Sequence, residues 1–204
     1  MSGFFGPLDF DGRVPPHQQT RVAAFLVSAH GALARQFAFT LPTKLESAWQ
    51  TELNAQLYRE TEIVSLLLRA TSWAPDPGLG YMAVGWESAW YPAPIYEISN
   101  WPLAVAAGLA TLAHAIHAGI RPAALLPVEA NPNDPFAMAL RRVEFESGHL
   151  LQAQILSLKG PDLVPFRDAV SSALERRHTE VRKLWHDMLQ SVGIAARDSN
   201  DEKP

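Results

Sequence analysis

The 204-residue chain contains no cysteine, which narrows the chemistry that it can carry out. Disulfide bonds, zinc sites built on thiolates, iron–sulfur clusters and a cysteine nucleophile are all excluded. The N-terminal residues also lack the basic segment and apolar run of a secretory signal. Both features fit a reducing compartment, and we expect a cytoplasmic location.

Positive charge is scarce and is nowhere concentrated. The 17 Lys and Arg residues are outnumbered by 21 Asp and Glu, for a formal net charge of −4. The densest basic spots are pairs such as Arg141-Arg142, whereas a surface that binds nucleic acid needs clustered Lys and Arg. We therefore expect no nucleic-acid partner.

The overall composition is that of a globular protein, with 48% hydrophobic and 19% charged residues. The length suits one well-formed core, and no internal repeat divides it. We expect residues 1–196 to form a single helical domain. The polar residues 197–204 are expected to be a disordered tail.

The longest stretch without Asp, Glu, Lys or Arg covers residues 98–120. A helix that is apolar on all sides must be surrounded by protein or by lipid. The stretch is long enough to span a membrane, but it is rich in Ala and Gly, contains Asn100 and Pro102, and has no basic cluster beside it. We therefore expect no membrane span and interpret the stretch as the central helix of a bundle.

Four further helices are predicted around this central helix, over about residues 20–39, 43–74, 134–160 and 163–192. Thr43 and Glu46 form a capping box at the start of the second helix. Asp134-Pro135 is an N-cap followed by proline, and Gly193 ends the last helix. The predicted fold is mainly α, with about five helices in a bundle.

Residues 73–97 differ from the rest because proline and glycine alternate there with aromatic residues. Such a density of helix breakers predicts a long ordered loop, in which a short strand or hairpin could form. The aromatic side chains either fix the loop across the bundle or form a binding surface for a protein partner. The candidate surface consists of Trp73, Tyr81, Trp86, Trp90, Tyr91 and Tyr96.

Two Glu-x-x-His motifs are the most specific chemical signal. The three-residue spacing places both side chains on one helical face, as in bundles that bind two iron ions through carboxylates. A further glutamate interrupts the apolar stripe of the second predicted helix. Ordinary surface residues are the alternative, because two of the motif positions lie outside the apolar stripes of their helices. The candidate ligands of a divalent iron or manganese ion are Glu60, Glu146, His149, Glu175 and His178.

Two more histidines, His114 and His117, lie on the uncharged central helix. Histidines three residues apart can bind a metal, but a buried histidine more often stays neutral and donates to a nearby carbonyl. We expect the second arrangement here. His30-Gly31, on the first helix, is interpreted as a local packing feature.

Two functions from different classes follow from these features. The first is a non-catalytic subunit or adaptor that needs no cofactor and acts through a protein partner or a second copy of itself. The second is a metal-dependent oxidase or oxygenase built on a helical bundle. Phosphate-binding loops, nucleophile elbows and His-Glu-x-x-His helices are absent from the sequence.

Overall fold

The computed structural model describes residues 8–40, 47–71, 113, 116–158 and 167–197. This part of the chain is mostly helical, so the mainly α prediction is confirmed for it. Its long helices are α1 (Gln19–Thr40), α2 (Ser47–Thr71), α3 (Pro135–Leu158) and α4 (Arg167–Ser191). Its short elements are the strands β1 (Asp9–Asp11) and β2 (Ala195–Arg197) and the 3₁₀ turns Pro16–Gln18 and Pro122–Leu125.

Helix α1 forms because apolar residues recur at helical spacing along its length. Each residue of this apolar stripe is no more than 4% exposed, and α1 packs along α2. Helix α2 in turn packs along α3, so these three helices share one apolar core. The buried stripe of α1 is Val22, Phe25, Leu26, Ala29, Leu33 and Phe37.

Helix α3 begins where the sequence predicts. Asp134 caps it, because its carboxylate accepts a hydrogen bond from the Ala137 amide at 2.9 Å. The Asp134 carbonyl accepts the first helical bond from Met138, also at 2.9 Å. Pro135 occupies the first helical position, where a missing amide hydrogen costs nothing.

Helix α4 ends in a left-handed turn at Gly193, whose φ is +79°. The Gly193 amide donates to the Gln190 carbonyl at 3.1 Å, and the Ile194 amide donates to Leu189 at 2.9 Å. These are the two bonds of a Schellman motif, which favours glycine because a side chain would strain this backbone. The chain then leaves α4 and enters β2.

Strands β1 and β2 pair in antiparallel register, with Phe10 opposite Ala196. Neither strand is predicted from the sequence, and Arg197, which lies in β2, falls in the segment expected to be a disordered tail. Each strand is only three residues long and finds its partner at the far end of the chain. Such a pairing leaves no local pattern in the sequence.

The predicted loop 73–97 and most of the predicted central helix lie outside the described residues. Ala113 and residues 116–118 are helical, and Ala113, Ile116 and Ile120 are at most 2% exposed. The described residues of the stretch up to residue 118 are therefore helical, while the central position of this helix in a bundle stays a prediction. Within the described ranges, no helix combines the length and the apolar character that crossing a membrane requires.

Candidate metal centre

Polar side chains interrupt the apolar stripes of α1 and α2 in the core. His30 lies on α1 between Leu26 and Leu33, and Glu60 lies on α2 between Leu53 and Leu67. His30 is 1% exposed and Glu60 is completely buried. Polar groups are this deeply buried only when they have partners, because an unpaired one costs several kcal/mol.

Helices α1 and α2 place His30 and Glu60 at a similar distance from the connection between the two helices. Residues 41–46 separate the two helices, so the pair forms an antiparallel hairpin. His30 lies ten residues before the end of α1, and Glu60 lies thirteen residues after the start of α2. At about 1.5 Å per residue, each is roughly 15 to 20 Å from the connection.

The third group, His117, comes from the helical segment that ends at residue 118. Two contacts hold the chain that follows it. The Leu8 amide donates to the Gly119 carbonyl at 3.0 Å, and the Ala123 amide donates to the Glu144 carboxylate on α3 at 2.8 Å. The N-terminal segment and α3 thus fix the position of His117, which is 4% exposed.

The three side chains converge on the Glu60 carboxylate. His30 Nδ1 lies 2.7 Å from Glu60 Oε2, and His117 Nε2 lies 2.6 Å from Glu60 Oε1. The two imidazole rings are 5.0 Å apart between centroids and tilted by 57°. We call His30, Glu60 and His117 the His–Glu–His cluster.

Ser147 on α3 completes the hydrogen bonding of His117. Its hydroxyl donates to the Val143 carbonyl one turn earlier, at 2.7 Å, and its oxygen lies 2.6 Å from His117 Nδ1. A serine hydroxyl has one hydrogen, which is already used towards Val143. His117 Nδ1 must therefore carry a hydrogen and donate it to Ser147.

The same reasoning assigns the protons around Glu60 when no metal is bound. A carboxylate only accepts, so the ring nitrogen of each histidine that faces it carries a hydrogen. His117 then carries hydrogens on both nitrogens and is a cation, whereas His30 needs only the hydrogen on Nδ1. The metal-free cluster consists of one carboxylate, one imidazolium and one neutral imidazole, with no net charge.

Burial and charge act in opposite directions on Glu60. Burial alone would raise the pKa of its carboxyl, but His117 and His30, through charge and hydrogen bonds, outweigh burial and lower that pKa from 4.5 to about 2. Burial lowers the pKa of His30 below 6.5, although Glu60 opposes this and His117 adds to it. The carboxylate is thus held ionised and His30 is held neutral.

A second group of charged side chains lies beside this cluster, on α2 and α3. Arg142 of α3 contacts Glu146 at 2.8 Å and Glu62 of α2 at 3.0 Å, and Arg59 approaches Glu146 at 3.7 Å. The Glu146 side chain is 7% exposed, while those of Arg59, Glu62 and Arg142 are 35% to 39% exposed. We call these four residues the ion-pair cluster; it ties α2 to α3 next to Glu60 and Ser147.

The His–Glu–His cluster has the composition of a metal site. One ligand atom from each residue lies within 4.8 Å of the other two. Two histidines and one carboxylate are the ligand set of many non-haem iron and zinc enzymes. Two ligands of one tetrahedral ion lie roughly 3.3 Å apart, so the present nitrogen–oxygen contacts would each have to widen by about 0.6 Å. An ion would then replace the hydrogens that now lie between these atoms.

The predicted metal ligands Glu60 and Glu146 have different partners in the structure. Glu60 lies in the His–Glu–His cluster, whereas Glu146 is paired with arginines. His178 on α4 is buried. His149 and Glu175 fall on α3 and α4, but their side chains lie outside the described set. Their role as ligands stays a prediction.

Sequence reasoning missed His30 and Ser147 and assigned other partners to His117. His117 is buried as expected, but its partners are the side chains of Glu60 and Ser147 and not a backbone carbonyl. One signal could have found the set: each member occupies a stripe position. His30 falls four residues after Leu26, and Ser147 falls four after Val143, where an apolar residue would be expected.

Two remaining predictions concern parts of the chain outside the described residues. His114 lies there, and so does the whole candidate interaction surface: Trp73, Tyr81, Trp86, Trp90, Tyr91 and Tyr96. A protein partner or a second copy acting at that surface stays a prediction. Comparison with protein-family models, with curated proteins and with solved structures finds no match to this chain. Functional inference therefore rests on the chemistry of its own residues.

Proposed function

We propose that this protein is a metal-dependent helical protein in which His30, Glu60 and His117 hold one divalent transition-metal ion. The observation that carries the proposal is the convergence of two buried imidazoles on one buried carboxylate, at 2.7 and 2.6 Å. Deep burial keeps water from competing for the ligand atoms. The negative charge of Glu60 offsets part of the charge of the ion.

Among the described residues, three side chains can bind the ion, and this number supports a catalytic site over a structural one. Structural zinc sites are closed by four protein ligands, whereas catalytic ions keep one or more positions open for water or substrate. Imidazole and carboxylate donors suit iron, manganese and zinc. A divalent ion with one carboxylate and two neutral imidazoles keeps one positive charge, which favours an anionic ligand at the open position.

The reaction class that we propose is oxidation by molecular oxygen, with iron or manganese as the ion. Two histidines and one carboxylate that leave positions open are the usual ligands of non-haem iron oxygenases. The side chains of His30, Glu60 and His117, taken without their backbone atoms, are each at most 1% exposed. A site enclosed in this way suits a small diffusible reactant such as oxygen better than a peptide or polysaccharide.

Metal content tests the proposal. The full chain is purified without chelators, incubated in turn with Fe²⁺, Mn²⁺, Zn²⁺ or Co²⁺, desalted and analysed for metal. We expect about one ion per chain and its loss in His30→Gln and His117→Gln, since each substitution removes one of three ligands. Oxygen consumption by the iron-loaded and manganese-loaded proteins, supplied with an external reductant such as ascorbate, then tests the reaction class.

His186→Gln is the matched control, because His186 lies on α4 with its side chain 44% exposed. This variant is expected to bind as much metal as the unchanged protein. Wild-type protein with less than about 0.2 ion per chain in all four incubations would contradict the proposed site. Equal metal in His117→Gln and His186→Gln would contradict the ligand assignment.

A further inference from the structure

We propose that Ser147 is a positioning residue for the metal centre, one that holds His117 with Nε2 turned towards the ion. This inference rests on the proposed metal site and deepens it. Ser147 does not contact Glu60 or His30 in any described hydrogen bond; it acts through His117 Nδ1, at 2.6 Å.

The polarity of the hydrogen bonds carries the argument. Ser147 donates to Val143 and can offer His117 only an acceptor, so His117 Nδ1 must donate. Nε2 is then the nitrogen left to face Glu60 and the ion. Histidines that bind metals commonly donate their other ring N–H to an oxygen, which fixes the ring orientation and makes the binding nitrogen more basic.

The backbone of α3 makes Ser147 a rigid acceptor. Its hydroxyl is fixed by the carbonyl one turn earlier in the same helix, and the side chain is 5% exposed. The preceding residue, Glu146, forms an ion pair with Arg142 at 2.8 Å. The position of the Ser147 oxygen is therefore set by the helix, and its bond restricts rotation of the His117 ring.

Ser28 supplies a matched control for the removal of a buried hydroxyl. Ser28 Oγ is buried in α1 and has no hydrogen-bond partner in the described part of the chain. Ser28→Ala and Ser147→Ala each delete one buried hydroxyl oxygen from a helix. Only the second substitution removes an acceptor from His117.

The experiment is a titration of each full-length, chelator-treated variant with Co²⁺, whose visible absorption reports its coordination. For Ser147→Ala we expect affinity lower by about 10-fold to 100-fold and altered absorption bands. Ser147→Thr keeps the hydroxyl and is expected to recover most of the affinity. Ser28→Ala is expected to match the unchanged protein in both readouts.

The outcomes separate the two proposals. If the unchanged protein binds no Co²⁺, both the metal site and the role of Ser147 are overturned. If the unchanged protein binds Co²⁺ and Ser147→Ala binds it within about 2-fold with the same bands, only the role of Ser147 is overturned. Thermal unfolding of the chelated variants shows whether Ser147→Ala is folded. A fall in affinity with unaltered bands that Ser147→Thr does not recover also counts against the positioning role.

Discussion

The His–Glu–His cluster and the ion-pair cluster adjoin on α2, where Glu60 follows Arg59, yet they use charge differently. Glu60 is completely buried and its partners are histidines. Its sequence neighbour Arg59 is 35% exposed and contacts the buried Glu146 of α3 at 3.7 Å. Consecutive helical residues point about 100° apart, so one faces the core and the next reaches the edge of the helix interface.

Both carboxylates are buried, so the difference lies in the partner: Glu146 pairs with arginines whose own side chains still reach water, whereas Glu60 pairs with buried histidines. At the half-exposed edge, arginine keeps its charge and water still solvates part of the pair, so such pairs are worth little. In the core, a permanently charged partner would bring a large desolvation cost. Histidine avoids that cost because it can be neutral or charged, and it can exchange its proton for a metal ion. The inner cluster is thus suited to chemistry and the outer one to holding helices together.

The largest effect on stability is expected from Glu60→Gln in chelated protein. The substitution keeps the shape but removes the charge that faces His117, leaving a buried cation without its counter-ion. The free energy of unfolding should fall by about 3 kcal/mol or more, measured by urea denaturation. Glu62→Gln makes the same change two residues along α2, at a side chain that is 39% exposed, and should cost less than about 1 kcal/mol. Equal losses in the two variants would remove the distinction between the clusters.

Acid should destabilise the chelated protein in two ranges of pH. The lowered pKa of His30 means that the unfolded chain takes up a proton below pH 6.5 while the folded chain does not, so stability begins to fall there. The Glu60 carboxyl has a pKa of about 2 when folded and 4.5 when unfolded, so its contribution is complete above pH 4.5 and is lost towards pH 2. Urea denaturation at several pH values measures both ranges.

Glu60→Gln is the control for this pH dependence, because glutamine does not titrate. The variant should lose the steeper decline below pH 4.5 that the unchanged protein shows. A decline that is unaltered in the variant would assign the acid sensitivity to other carboxylates. Stability that rises on acidification below pH 6.5 would contradict the pKa directions of both groups.

A smaller effect on stability is expected from Glu146, the buried carboxylate of the ion-pair cluster. Arg142 holds the buried Glu146 and the half-exposed Glu62 with the same nitrogen. Glu146→Gln should cost about 1–2 kcal/mol at both low and high salt, whereas the loss in Glu62→Gln should disappear in about 1 M salt. Urea denaturation at two salt concentrations measures this contrast. Asp187→Asn, in a pair with Lys183 that is largely exposed, should change stability by less than about 0.5 kcal/mol.

Local sequence patterns predicted the helices well. The apolar stripe of α1, the cap at Asp134 and the glycine turn at Gly193 all occur where expected. These features depend on residues within a turn or two of each other, so periodicity and capping chemistry reveal them. The strands β1 and β2 were missed because their pairing joins the two ends of the chain.

The same sequence patterns predicted only part of the candidate site. Glu60 was noticed because a carboxylate interrupted an apolar stripe, and His117 because its helix carries no charge. The sequence pattern assigns His30 to local packing and not to the site, and it does not reveal the ion pairs that Glu146 forms with arginines. A stripe position shows that a polar residue is buried. It does not show which residue of another helix lies at the same level.

The sequence by itself determined that the chain is mainly helical and that its metal chemistry, if any, would use histidine and carboxylate ligands in place of cysteine. Only the tertiary structure decided that His30, Glu60 and His117 meet, and that Ser147 lies within hydrogen-bonding distance of His117. The physical reason is that helix formation depends on near neighbours, whereas contacts between helices depend on packing across separations of 30 and 57 residues.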